Sequence, residues 1–127
     1  VTKILIVDDD PDMVEAGRFV LEAEGYEVVS AGNVSQGMSA LEETKPDLMI
    51  LDVMMEEPDD GIRMARQIRR KGFHLPILML TSVNAAMGLH IDKDEEVVPV
   101  DEFQEKPVDP QTLIRKVEQL LCNRRGD

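Results

Sequence analysis

Lys3-Ile4-Leu5-Ile6-Val7-Asp8-Asp9-Asp10-Pro11 is the stretch on which the fold turns. Its apolar core, Ile4 to Val7, is unbroken, whereas a strand with one wet face would alternate; the pattern fits a strand covered on both sides. Asp10-Pro11 then has the chemistry of a helix start. A short carboxylate accepts from the orphan N–H groups of a first turn, and Pro fits the first helical position because no N–H is needed there. A buried strand passing directly into a helix is half of a strand–helix–strand crossover.

Outward from this stretch the pattern repeats. Met13, Ala16, Val20 and Ala23 give the first helix an apolar stripe that should end near Gly25. Glu27–Ala31 reads as a second strand, with Asn33 capping a helix through about Glu43. Asp47–Leu51 reads as a third strand, and Asp60 is expected to cap a helix carrying Ile62, Ala65 and Ile68 that stops around Lys71-Gly72. Ile77–Leu80 makes a fourth strand and Val100–Phe103 a weaker fifth. The last helix starts near Pro110 and carries Leu113, Ile114, Val117, Leu120 and Leu121 on one face. Between Ser82 and Pro99 no clean stripe exists; a short or irregular helix from Val83 to about Leu89, then loop, is expected. Five such alternations call for an α/β fold, a parallel sheet with helices on both faces and right-handed crossovers.

The chain of 127 residues is long enough for one domain, expected to span 1–127, with a core that needs no covalent staples. Its 43% hydrophobic and 31% charged residues exclude the disordered class. No apolar run reaches the roughly 18 residues of a membrane span, and no signal peptide is evident. A net charge of −12 argues against direct nucleic-acid binding, which needs clustered Lys and Arg. The single cysteine, Cys122, excludes an intramolecular disulfide and suits a reducing cytoplasm. The start at Val1 rather than Met suggests a processed or excised piece, with any neighbouring domain outside it.

In open α/β sheets, ligands bind beyond the carboxyl ends of the strands. Asp8, Asp9 and Asp10 stand at the end of strand one, Asp52 follows strand three, Thr81-Ser82 follows strand four, and strand five leads to Lys106-Pro107. Carboxylates gathered on one rim repel by about 4 kcal/mol per pair at ~4 Å and an effective dielectric near 20, so a cation belongs among them. Oxygen ligands favour a hard ion, and Mg2+ uses one or two carboxylates with water and phosphate oxygens. A carboxylate is also a phosphoryl acceptor, and Lys106 would neutralise the group being transferred.

The segments Ile4–Pro11, Pro46–Met55, Leu80-Thr81-Ser82 and Phe103-Gln104-Glu105-Lys106-Pro107 resemble those of bacterial two-component response-regulator receiver domains, in the right order and each at a strand end. The resemblance implies a flavodoxin-like five-stranded sheet of order 2-1-3-4-5. It implies that Asp52 is the phosphoacceptor, served by a histidine kinase or phosphotransfer domain or by a small acyl phosphate. Asp9 would bind Mg2+ directly, Asp8 mainly through water, and the carbonyl of Met54 would add a ligand. Thr81 would hydrogen-bond the phosphoryl group, Ser82 would leave it room, Lys106 would pair with it, and the bond to Pro107 would be cis. Phe103 would turn with the switch, changing the surface of strands four and five and the last helix. The expected output is a downstream protein, an excised output domain or a phosphorylation-dependent dimer.

Two departures stand out. Family members usually carry Pro four and Gly eight positions after the phosphoacceptor; here Glu56 replaces the Pro and Gly61 arrives one residue late, in an acidic loop. The fourth helix is eroded. These keep open a phosphorylation-independent docking module on the same fold. An aspartyl phosphohydrolase would need a second acid at position 54, which is Met, and a flavin carrier would need a Ser/Thr- and Gly-rich loop where three acids stand. Met54 and Val83 offer no side chain to align an attacking water, so a long-lived phosphoryl group is expected. Asp10 reads as a helix cap rather than a ligand, and His74 and His90 as surface residues. The eight methionines read mostly as core packing.

Overall fold

The computed structural model describes residues 2–52, 60–81, 102–105 and 109–125. Five strands, β1 (Lys3–Val7), β2 (Glu27–Ala31), β3 (Leu48–Asp52), β4 (Ile77–Thr81) and β5 (Glu102–Glu105), form one parallel sheet in the order β2-β1-β3-β4-β5. The helices described are α1 (Pro11–Ala23), α2 (Val34–Thr44), α3 (Asp60–Arg70) and α4 (Pro110–Arg125). Fold class and strand order are those expected from the sequence. The short helix expected from Val83 lies outside the described residues. No described helix is long and apolar enough to cross a membrane.

The continuous apolar strands make sense because each face of the sheet is covered. Leu5, Val7, Met49, Leu51, Ile77 and Met79 pack with α2 and α3. The alternate residues Ile4, Ile6, Leu48, Ile50, Leu78 and Leu80 pack with α1 and α4. The two-residue period of a strand sends neighbours to opposite faces, so both sets must be apolar. Burying each such side chain contributes about 1.5–3 kcal/mol.

Local chemistry sets the helix ends. The Asp10 carboxylate accepts from the Asp12 N–H at 3.0 Å, and Asn33 Oδ1 accepts from the Gln36 N–H at 2.8 Å. Asp109 accepts from the N–H and hydroxyl of Thr112 at the start of α4. Gly25 (φ 93°) and Gly72 (φ 91°) take the left-handed turns after α1 and α3, where a Cβ would be strained. At the end of α2 the non-glycine Lys45 takes φ 49°.

Several boundaries differ from those read off the sequence. β3 is Leu48–Asp52 rather than Asp47–Leu51. Asp47 lies just outside, its N–H donating to the Lys3 carbonyl at 2.8 Å and its carboxylate accepting from the Lys3 N–H at 2.9 Å. The described β5 is Glu102–Glu105, extending two residues beyond the expected Phe103, because its ladder with β4 pairs Leu78 with Glu102 and Thr81 with Glu105; Val100 and Asp101 lie outside the described residues. Asp60 is the first residue of α3 and not its cap; its carboxylate meets Arg63 at 3.3 Å and favours the positive helix end. In α1 the fully buried residue is Leu21, with Met13 and Val20 partly buried and Ala16 and Ala23 exposed. Gly17 explains the shift: a Cβ there would lie 3.1 Å from Ile6 Cδ1, so the helix approaches the sheet along its glycine side.

Candidate functional site

β1 and β3 are neighbours in register, with Val7 opposite Leu51. Asp8 and Asp52 come next in the two strands and leave the sheet side by side, on strands about 4.8 Å apart. Both carboxylates are buried, at 3% and 5% exposure, while Asp9 is exposed. One carboxylate oxygen from each of Asp8, Asp9 and Asp52 lies within 4.8 Å of the others. The three residues singled out at the ends of strands one and three therefore form one cluster.

Backbone contacts hold the first acid in place. The Asp8 N–H donates to the Ala31 carbonyl at 3.1 Å, and Asp8 Oδ1 accepts from the Asp10 N–H at 2.9 Å. Asp10 spends its own carboxylate on the first turn of α1, so it is a cap and lies outside the cluster, as expected.

Mg2+ holds its oxygens at 2.0–2.1 Å, so two ligands opposite one another stand about 4.2 Å apart. A spread of up to 4.8 Å requires only a small closure to reach that span, and every donor is a hard oxygen. The residues present fit such an ion. Ionised carboxylates at this spacing repel by about 3.5 kcal/mol per pair at an effective dielectric of 20, a repulsion that a cation would offset.

Beside the cluster lies an open groove of about 440 Å3, bounded by Asp8, Asp9, Ser30, Gly32 and Gln36. Gln36 Oε1 accepts from the Gly32 N–H at 3.1 Å and so ties down the connection between β2 and α2. Sequence reasoning missed this wall. Its only signal was Gly32-Asn33 at the end of a strand next to the acidic one.

The other expected residues are placed in part. Asp52 pairs with Leu80, so the backbone of Thr81 stands one residue further out on the adjacent strand. Phe103 pairs with Met79, and Glu105, opposite Thr81, is followed in the chain by Lys106. Met54, Ser82, Lys106 and Pro107 lie outside the described residues, as do Val83, His90 and Glu56-Glu57. His74 is exposed, as expected.

Known proteins give this geometry a context. The sequence profile of the response regulator receiver domain matches residues 4–118. The alkaline phosphatase synthesis transcriptional regulatory protein PhoP of Bacillus subtilis is 35% identical over 126 residues, covering 94% of this chain and 48% of PhoP. The chain thus spans about half of that relative. An uncharacterized 14.6 kDa protein of Leptolyngbya boryana is 39% identical over 121 residues, covering 91% of this chain and 87% of the relative. Among solved structures, a response regulator receiver domain protein from Clostridium thermocellum superposes with a TM-score of 0.85 at 25% identity, covering 98% of both chains.

Proposed function

The chain belongs to the response regulator receiver domain family, and from that premise we propose that it is a two-component phosphoacceptor switch that takes its phosphoryl group on Asp52. The observation that carries this reading is the convergence of the Asp8, Asp9 and Asp52 carboxylates within 4.8 Å at the carboxyl ends of β1 and β3. Asp9 would hold Mg2+ directly and Asp8 through water, with the Met54 carbonyl and Asp52 completing the protein ligands. The ion supplies positive charge against the phosphoryl oxygens when bound.

An Asp52 carboxylate oxygen attacks phosphorus in line. The new O–P bond forms as the bond from phosphorus to the donor breaks, and the donor leaves with the electron pair. The donor is the phosphohistidine of a histidine kinase or phosphotransfer domain, or a small acyl phosphate. Lys106 pairs with a phosphoryl oxygen and Thr81 donates a hydrogen bond to another. Ser82 leaves space for the group. Movement of Thr81 lets Phe103 turn, with Pro107 fixing the next turn of chain, and shifts the population of a two-state surface over β4, β5 and α4.

The domain, read as one unit over 1–127, is a signalling module that catalyses only its own phosphorylation and dephosphorylation. Its setting is the cytoplasm, and its output goes to a downstream protein, to an attached domain or into a phosphorylation-dependent dimer. The charge of −12 supports an output that does not use direct nucleic-acid contact by this domain. Met54 and Val83, each two positions along the chain from Asp52 and Thr81, carry no polar group to align water, so the phosphoryl group is long-lived; its loss within seconds at neutral pH would refute that point. No feature of the described residues favours a phosphorylation-independent docking module.

The test is intact-mass measurement after incubation with Mg2+ and acetyl phosphate or phosphoramidate. The parent chain gains one phosphoryl group and Asp52→Asn gains none. No gain in the parent overturns the reading, and an equal gain in the variant moves the site to another residue.

A further inference from the structure

Hydrogen bonds run in series from the acidic cluster into α1. The Asp10 N–H donates to Asp8 Oδ1 at 2.9 Å, and the Asp12 N–H donates to Asp10 Oδ1 at 3.0 Å. Each carboxylate thus accepts from the amide two residues on, a local pattern that short acidic side chains favour. The Asp10 carbonyl also accepts from the Val14 N–H at 3.1 Å, the first bond of the helical ladder. Asp10 is therefore tied to Asp8 on one side and to the first turn of α1 on the other.

Burial makes this link matter. Asp9 is exposed and free to turn toward an ion, whereas Asp8 is 3% exposed, so donors within the protein must set its carboxyl in advance. Mg2+ demands near-ideal octahedral geometry, and losing a group that orients a metal ligand typically costs about 10–100-fold in affinity. We propose that Asp10 is a positioning residue of the acidic site: its cap on α1 fixes the N–H that orients the Asp8 carboxyl, and so tunes the affinity for Mg2+. The inference rests on the reading of Asp8 and Asp9 as the residues that hold the ion. Asp10 itself makes no contact with the ion, because its carboxylate is spent on Asp12. Pro11 also restrains Asp10 to its extended backbone (φ −95°, ψ 107°), so losing the cap loosens the N–H rather than removing it, and the effect falls toward or below the lower end of that range.

The test separates the cap from the charge. Asp10→Asn and Asp10→Ala both remove the negative charge, but only Asp10→Asn keeps an oxygen for the Asp12 N–H. Titration of each full chain with Mg2+, followed through the Asp8 and Asp9 amide signals in NMR, gives a Kd for the folded state alone. Asp10→Ala should bind about three- to tenfold more weakly than Asp10→Asn. Asp10→Gly, a well-tolerated helix start without a side-chain acceptor, should behave like Asp10→Ala and takes its place if that variant does not fold. In metal-free buffer the amide proton of residue 10 should exchange with solvent faster in the variants lacking the cap than in Asp10→Asn. Equal Mg2+ affinity, or equal exchange, with and without the cap overturns the proposal and leaves the metal site standing. No saturable shift in the parent chain overturns the Mg2+ reading, and this inference with it.

Discussion

Replacing Asp9 by Asn removes one charge from the acidic cluster with little change of shape, and without touching the buried Asp8 and Asp52. The three carboxylates lie within 4.8 Å of one another. Unit charges at that distance repel by about 3.5 kcal/mol at an effective dielectric of 20 and by about 0.9 kcal/mol in bulk water. Asp9 is exposed, so the lower part of that range applies. Asp8 is its neighbour in the unfolded chain too, so part of that repulsion cancels and the gain comes mainly from Asp52. The variant should be more stable by about 1–2 kcal/mol in EDTA at low salt, which corresponds to roughly 3–10 °C in Tm for a domain of this size. Mg2+ should reverse the order. At a free concentration a hundredfold above its Kd the ion stabilises the parent by about 2.7 kcal/mol, more than that gap, and it should do much less for a variant lacking a ligand. Thermal unfolding of both proteins, with EDTA and with Mg2+, gives all four numbers. A variant no more stable than the parent in EDTA, or equal stabilisation of both by Mg2+, refutes the mutual repulsion and the assignment of Asp9 as a ligand.

Other expectations follow from the helix ends. Asn33→Ala removes the oxygen that caps α2 and should cost about 1 kcal/mol in urea unfolding, with an unchanged m-value. Lys45→Gly relieves the left-handed backbone at φ 49° and should stabilise by about 0.5–1 kcal/mol; a loss of stability would show that Lys45 makes a contact worth more than the strain. The Thr112 hydroxyl and then its N–H hold the Asp109 carboxyl below its ordinary pKa. A depressed folded pKa contributes stability that is complete above the unfolded value and is lost as pH falls through the folded one, so the effect belongs to the acid limb below about pH 4. An NMR titration should show the Asp109 midpoint rising in Thr112→Val, and an unmoved midpoint would contradict the assigned cause.

The sequence by itself determined the order of strands and helices, the helix starts at Asp10 and Asn33 and near Pro110, and the presence of acids where two strands end. These are local matters: hydrophobic period, cap chemistry and the turn glycines Gly25 and Gly72 act within a few residues, so they can be read along the chain. The tertiary structure decided what depends on long-range pairing. Ladder register with β4 carried β5 past Phe103 to Glu105. Pairing of Val7 with Leu51 brought Asp8 beside Asp52, 44 positions away in the chain, and the folded chain buries Asp8 while leaving its neighbour Asp9 in solvent. Residue type announced that charge would gather at this rim. Only the closing of hydrogen bonds and side-chain packing between distant segments fixed which charges meet, and how dry their surroundings are.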